Sequence, residues 1–295
     1  MKRKISKRLI IQIISALLFN ANFRGFAEGR IYTGKLKTLC VPGLNCYSCP
    51  GALGSCPIGS LQAVLSGRKH NFSFYVIGIL IFFGVVLGRL ICAFLCLFGL
   101  VQDLLYKIPV PKLKVPKKAD KLLRWLKYLV LLVLVIALPT FVSNQFGIGE
   151  PWFCKWLCPA GTLEGGLPLL AGSENLRQAA GGLFTWKLAV LIAIVLASMF
   201  IYRPFCKYLC PLGAFYGLFS RVSIFRMKVD KEKCTLCGAC EKRCKMGVEI
   251  RKNINSAECI RCGECIGSCP TGAISRCVGG FDKNEREKND GRTSC

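Results

Sequence analysis

The chain has 295 residues, 53% of them apolar, with 20 cysteines, a single histidine and a formal charge of +25. That much cysteine in so long and oily a chain does not fit a small secreted disulfide scaffold, and one histidine cannot supply bis-histidine haem or a histidine-rich zinc site. No Cys-x-x-Cys-His, Gly-x-Gly-x-x-Gly or Gly-x-x-x-x-Gly-Lys-Ser/Thr occurs, which sets aside covalent haem and a nucleotide cofactor.

Four apolar segments follow in chain order. Residues 9–23 come after Lys2, Arg3, Lys4, Lys7 and Arg8 and are read as an uncleaved anchor, since no small-x-small cleavage site follows. Residues 72–90, 125–146 and 183–202 each hold about the 20 residues needed to cross ~30 Å of hydrocarbon. Aromatic residues bracket the last two: Trp125 and Tyr128 with Phe141 and Phe146, then Phe184 and Trp186 with Phe200 and Tyr202. Residues 107–127 carry eight Lys/Arg and one acid, whereas residues 144–182 carry two basic residues and three acids. The first loop is therefore expected in the cytoplasm and the second outside. The N-terminus and everything after Tyr202 then lie inside. Residues 24–70, expected outside, carry six basic residues, against the trend. Charge placed in short loops beside apolar runs sets topology, so no nucleic-acid partner is expected.

From Met227 the composition turns polar and cysteine-dense. The expected organisation is a transmembrane region over 1–226, a soluble domain over 227–279 and a disordered tail over 280–295. The soluble domain holds Cys234-x2-Cys237-x2-Cys240-x3-Cys244 and, 25 residues later, Cys259-x2-Cys262-x2-Cys265-x3-Cys269-Pro270. Zinc motifs pair Cys-x2-Cys units at longer gaps, whereas this doubled run suits two [4Fe-4S] clusters. The fourth cysteine of each run serves the other cluster. Cys234, Cys237, Cys240 and Cys269 are thus expected at one cluster, and Cys259, Cys262, Cys265 and Cys244 at the second.

Ten cysteines precede this module, and eight of them fall into pairs: Cys46-x2-Cys49-Pro50, Cys92-x3-Cys96, Cys154-x3-Cys158-Pro159 and Cys206-x3-Cys210-Pro211. Residues i and i+4 share a helix face, so a pair can grip one metal centre. "GRLICAFLCLFGL" aligns with "YRPFCKYLCPLGA" at an offset of 114, and "CYSCPGAL" with "CKWLCPAGTL" at about 108. Two halves, about 8–110 and 120–222, would each run helix, outer pair, helix, inner pair. An outer site would join Cys46 and Cys49 to Cys154 and Cys158. An inner site would join Cys92 and Cys96 to Cys206 and Cys210. Either could hold a further [4Fe-4S] cluster. Cys40 and Cys56 are spare, and either could replace an outer ligand. The bland alternatives are cysteine as a small buried hydrophobe and, outside, disulfides.

"GRLICAFLCLFGLVQD", "WFCKWLCPAGTLE", "FCKYLCPLGAF" and the doubled C-terminal motif resemble the membrane polyferredoxin family that includes NapH and the C-terminal parts of NosR-type proteins. The resemblance covers residues 72–279, about 70% of the chain. Leu97 stands where that family has proline, and so does Lys245. The apolar segments and the repeated motifs predict a mostly α membrane protein of about four transmembrane helices in a tandem two-helix repeat, with a small α+β ferredoxin domain, and the resemblance agrees with that. It also implies electron passage between a quinone pool or cytoplasmic donor and an oxidoreductase outside, as an electron-transfer component rather than a stand-alone enzyme. A quinol-oxidising subunit and a cluster-based assembly or sensing protein are the alternatives. Arg89 and Arg203, equivalent in the repeat, are expected to snorkel to the interface, the sharper reading being compensation of cluster charge. His70 is read as an interface residue. Glu150 and Glu164 flank the outer cysteines.

Overall fold

The computed structural model describes residues 7–67, 73–113, 115–142 and 149–279. His70, the ends of two apolar segments at Phe72 and Phe146, and the expected tail over 280–295 lie outside the described residues. The described chain is mostly helical. Its main helices are α1 (Lys7–Phe19), α2 (Pro57–Ser66), α3 (Phe74–Val86), α4 (Leu90–Phe94), α5 (Leu97–Leu105), α6 (Lys117–Phe141), α7 (Trp152–Trp156), α8 (Leu167–Gly172), α9 (Gly182–Phe200), α10 (Pro204–Tyr208) and α11 (Pro211–Leu218).

Two of these, α6 and α9, are long and apolar enough to cross a membrane. The other two apolar segments form shorter helices. The 13 residues of α1 and of α3 span only ~20 Å each at ~1.5 Å per residue. The run over 72–90 outlasts its helix because Gly88 takes a left-handed conformation (φ 54°) that turns the chain inward at Arg89. By contrast, α6 begins eight residues before the expected Trp125, since its charged first turns pack on the C-terminal module through Arg124, which donates to the Met246 carbonyl at 2.9 Å.

The long axes alternate in direction. Arg8 at the start of α1 pairs with Glu264, and Val85 at the end of α3 accepts from the Ile224 N–H, so both touch the C-terminal region. At the opposite end, the Phe19 carbonyl accepts from Leu53 N–H and Trp186 Nε1 donates to the Trp156 carbonyl. Segments 20–67 and 149–181 gather there.

Large apolar side chains stand at the surface as well as in the core: Leu18, Phe74, Phe82, Leu122, Trp125, Leu132, Phe141, Trp186 and Leu196 are exposed, whereas Gln62, Arg89, Gln102, Lys127 and Arg203 are 0–1% exposed.

The C-terminal module is closed by one antiparallel pair, β1 (Phe225–Val229) with β2 (Ile274–Val278), in register Met227↔Arg276. Between the strands the backbone repeats itself at an offset of 25. Leu236 and Arg261 have φ of 56° and 55°, Gly238 and Gly263 of 72° and 81°, and Gly247 and Gly272 of 69° and 64°.

Candidate iron–sulfur centres

Two cavities in the C-terminal module are each lined by four cysteines. One is lined by Cys234, Cys237, Cys240 and Cys269, with Leu236, Gly238 and Arg251 around them. The other is lined by Cys244, Cys259, Cys262 and Cys265, with Tyr202, Lys245, Met246 and Arg261. Ile250 borders both. The left-handed residues before and after Cys237 and Cys262 wrap the chain around each cavity. Burial pushes the Cys259 thiol up to about 11 and Cys265 to about 12, whereas Cys269, hydrogen-bonded to Thr271 Oγ1, is held down. A bound metal takes thiolates and releases these protons.

Cys92, Cys96, Cys206 and Cys210 form a third set, buried and within electrostatic reach of one another. Two arginines hold it by a reciprocal exchange between the repeat halves. Arg89 Nη2 donates to the Cys206 carbonyl at 3.1 Å, and Arg203 Nη1 donates to the Cys92 carbonyl at 2.6 Å. Arg203 also grips Asp103 with two nitrogens, at 2.8 and 2.6 Å, and Asp103 binds Arg8 as well. Arg89 pairs with Glu258. The expected snorkelling is corrected: both guanidinium groups are fully buried, because carbonyls and carboxylates converge on them from both halves.

The fourth set departs from the expected pairing. The structure brings Cys46, Cys154 and Cys158 together with Cys56, not Cys49. The Cys158 thiol feels Cys154, Cys46 and Cys56, and Cys154 feels Cys56. Cys49 sits one turn beyond Cys46, where its thiol donates to Asn20 Oδ1 at 3.6 Å and its backbone N–H to the Cys46 carbonyl. Cys40 lies apart, its sulfur 3.5 Å from Ser55 Oγ.

With Cys56 in place, one motif recurs four times: Cys56-Pro-Ile-Gly, Cys96-Leu-Phe-Gly, Cys158-Pro-Ala-Gly and Cys210-Pro-Leu-Gly. Cys56, Cys96 and Cys210 are the N-caps of α2, α5 and α11. At Cys210 the sulfur takes the role of a capping side chain and accepts a backbone N–H that the first helical turn leaves without a partner, and Cys158 sulfur accepts one in the same way. Gly161 N–H reaches Cys158 Sγ and Gly213 N–H reaches Cys210 Sγ, both at 3.3 Å. Leu97 opens α5 at the position that proline takes in α2 and α11. A Cβ at Gly99 would lie 3.0 Å from the Cys92 carbonyl and 3.3 Å from Arg203, and one at Gly213 would lie 3.3 Å from Arg89, so the arginine exchange needs glycine there.

Short links join the four sets. Glu258, beside Cys259, binds both Arg89 and Lys127. Burial raises its carboxyl, but Arg89 and then Lys127 outweigh that and hold it below its ordinary range. Lys245 pairs with Glu264 and sits 5.5 Å over the Tyr202 ring, so the residue in place of proline ties the module to the helical body. Tyr216, fully buried, lies within electrostatic reach of Cys92, Cys96 and Cys210 of the third set and of Cys56 of the fourth. Its hydroxyl donates to the Pro42 carbonyl at 2.9 Å. Of the acids expected near the outer cysteines, Glu150 pairs with Lys155, and Glu164 is buried with its Oε2 accepting from Cys46 N–H at 2.8 Å. Sequence reasoning held Cys56 only as a spare that could replace an outer ligand, and it missed Gln62, Gln102, Asp103, Tyr216 and Glu258. The fourfold Cys-x-x-Gly was the signal that favoured Cys56.

Among the described residues no three Cys, His, Asp or Glu side chains close in tightly enough to hold a single metal ion. A four-iron cube is larger and takes its thiolates at its outer corners. Four thiols around each cavity, with N–H donors aimed at sulfur, fit that group.

Residues 72–116, 128–167 and 183–232 match a 4Fe-4S binding domain family, and residues 227–248 and 252–275 match a second 4Fe-4S binding domain family. An uncharacterised protein of Methanocaldococcus jannaschii is 30% identical over 238 residues, 78% of this chain and 80% of that protein. The methylamine utilization ferredoxin-type protein MauN of Paracoccus denitrificans is 31% identical over 200 residues, 66% of this chain and 62% of MauN. The regulatory protein NosR of Pseudomonas aeruginosa is 27% identical over 162 residues, 52% of this chain but only 20% of NosR. No solved structure matches the chain. A helical body and a ferredoxin-type module that together carry these cysteine sets define an iron–sulfur electron-transfer protein with [4Fe-4S] clusters. The chain belongs to the NosR/NapH-like polyferredoxin family.

Proposed function

We propose that the chain is a multi-pass protein of the cytoplasmic membrane that relays electrons between a cytoplasmic partner and a redox protein or quinone on the other side. The observation that carries this reading is the order of the four cysteine sets. They run from Cys237, exposed at the module's surface, through the Cys244/Cys259/Cys262/Cys265 cavity and the Arg89 junction to Cys92/Cys96/Cys206/Cys210, then past Tyr216 to Cys46/Cys56/Cys154/Cys158. Each set would hold one [4Fe-4S] cluster, which when bound supplies a one-electron store. The chain's own residues exclude water, fix the thiols and neutralise charge: Arg89 and Arg203 beside the third set, and Lys37 near Cys46 and Cys49 at the fourth.

The exposed apolar faces of α6 and α9, continued on α1 and α3, support four membrane crossings. The two short helices would be completed by the interfacial residues that flank them. The basic segment before α6 lies at the module's end of the molecule, which supports a cytoplasmic module and N-terminus.

Purified anaerobically, the protein should contain about 16 iron atoms per chain, four for each set of four thiolates. A content of about 8, unchanged when Cys92, Cys96, Cys206 and Cys210 are replaced, would overturn the relay.

A further inference from the structure

Two buried glutamines repeat the same contacts in different places. Gln62 lies six residues after Cys56, and Gln102 six residues after Cys96. Gln62 Nε2 donates to Cys154 Sγ at 3.2 Å, and its Oε1 accepts from Phe153 N–H at 3.0 Å. Gln102 Nε2 donates to Cys206 Sγ at 3.0 Å, and its Oε1 accepts from Phe205 N–H at 3.2 Å. The second amide hydrogen is used as well, by Ile58 O for Gln62 and by Phe98 O for Gln102, both at 3.3 Å. Every polar atom of each amide is occupied. A flipped amide would set its oxygen against the sulfur and its NH2 against the phenylalanine N–H, so chemistry fixes the orientation.

The positions six residues after the other two cysteines of the fourfold motif, Cys158 and Cys210, are filled differently. Glu164 accepts from Cys46 N–H and Tyr216 donates to the Pro42 carbonyl, so neither donates to a cysteine sulfur. Each membrane set therefore receives one side-chain N–H on one thiol, at the equivalent residues Cys154 and Cys206.

We propose that Gln62 and Gln102 are paired positioning residues that set the reduction potentials of the two membrane centres by donating an amide N–H to the Cys154 and Cys206 thiolates. This rests on the reading of both sets as cluster ligands. Reduction adds negative charge that spreads onto the thiolate sulfurs, and an N–H···S bond strengthens with that charge. The reduced form is favoured and the potential rises. A clamp that merely held Phe153 or Phe205 would need only the amide oxygen.

The two roles separate by substitution. Gln102→Leu removes donor and acceptor. Gln102→Met keeps the length of the side chain and a weak sulfur acceptor, and removes the donor. The Gln62 variants do the same at the other centre and leave the first as an internal reference. Potentiometric titration followed by EPR should show the potential of one centre lowered in both Gln102 variants, the reduced-to-oxidised ratio at fixed ambient potential falling about tenfold, or ~59 mV for a one-electron couple. Protein labelled with 15N at glutamine side chains should show hyperfine coupling at both membrane centres, lost at one of them in Gln102→Leu and at the other in Gln62→Leu. Full iron with both potentials unmoved, or no 15N coupling, overturns the proposal. A wild-type iron content of about 8 instead overturns the ligand reading beneath it.

Discussion

Replacing Cys56 or Cys49 by alanine separates the fourth cysteine set of the structure from the one that local spacing suggests. Cys56 caps α2, faces the Cys154 and Cys46 thiols, and is 8% exposed. A four-iron cluster with three protein thiolates and no room for water loses its fourth ligand outright, so Cys56→Ala should lower iron from about 16 to about 12 per chain. Cys49 is no ready substitute, since its thiol is turned to Asn20 Oδ1 and lies beside Lys37. Cys49→Ala should leave iron at about 16 and shift stability by only the ~1 kcal/mol expected for trimming a small buried group. The assay is iron and acid-labile sulfide per chain after anaerobic purification, with EPR of the reduced protein to show which signal disappears. Loss of four irons in Cys49→Ala with full retention in Cys56→Ala would refute the placement of Cys56 at this site.

Gly99→Ala places a methyl 3.0 Å from the Cys92 carbonyl, which Arg203 already holds, so neither neighbour can retreat. Its thermal midpoint in detergent should drop in line with ~1–3 kcal/mol of overpacking, whereas Gly78→Ala in α3, with nothing within 4 Å of the new methyl, should not lower it. Arg203→Met strips Asp103 of its bidentate partner and leaves it to Arg8, which should destabilise the protein by ~3–5 kcal/mol in the same melt and is partly recovered by Arg203→Met with Asp103→Leu. Lys245→Pro removes a half-exposed pair with Glu264, so it should change stability by less than ~1 kcal/mol and leave iron content intact.

The C-terminal module was legible because its spacing is mostly local: cysteines three and four residues apart bring most of each set together, and the 25-residue repeat returns in the φ angles of Leu236 and Arg261. The membrane sets were legible only where that locality lasted. Cys92-x3-Cys96 and Cys206-x3-Cys210 occupy a single turn and its cap, so a helical spacing rule captures them. The equivalent of Cys154 and Cys158 in the first half is split between Cys46 and Cys56, ten residues apart, and the nearby Cys49-Pro50 imitates the pattern at the wrong position. Gln62 and Gln102 were invisible for another reason. A glutamine six residues past a cysteine means nothing until the other half of the repeat brings a second cysteine against it. The apolar segments misled on length, because hydropathy does not register Gly88, whose left-handed turn ends α3 and sends Arg89 inward.

That inward turn bears on the charge of +25. Most basic residues here stay at the surface, in the segment before α6 and on the module. Arg89, Lys127 and Arg203 do not: each is 0% exposed. A buried cation is expensive without a partner. The partners present are few: Glu258 for Arg89 and Lys127, Asp103 for Arg203 and, less deeply, Arg8, which also reaches Glu264. Four cations against three carboxylates leave an excess of one positive charge around the third cysteine set. Four thiolates with a four-iron cluster carry about two negative charges in the oxidised form and one more when reduced. The buried excess thus has the sign that would offset the charge the centre brings. Without that centre part of this buried positive charge is left unbalanced far from water, which is a physical ground for the proposal that Cys92, Cys96, Cys206 and Cys210 hold iron.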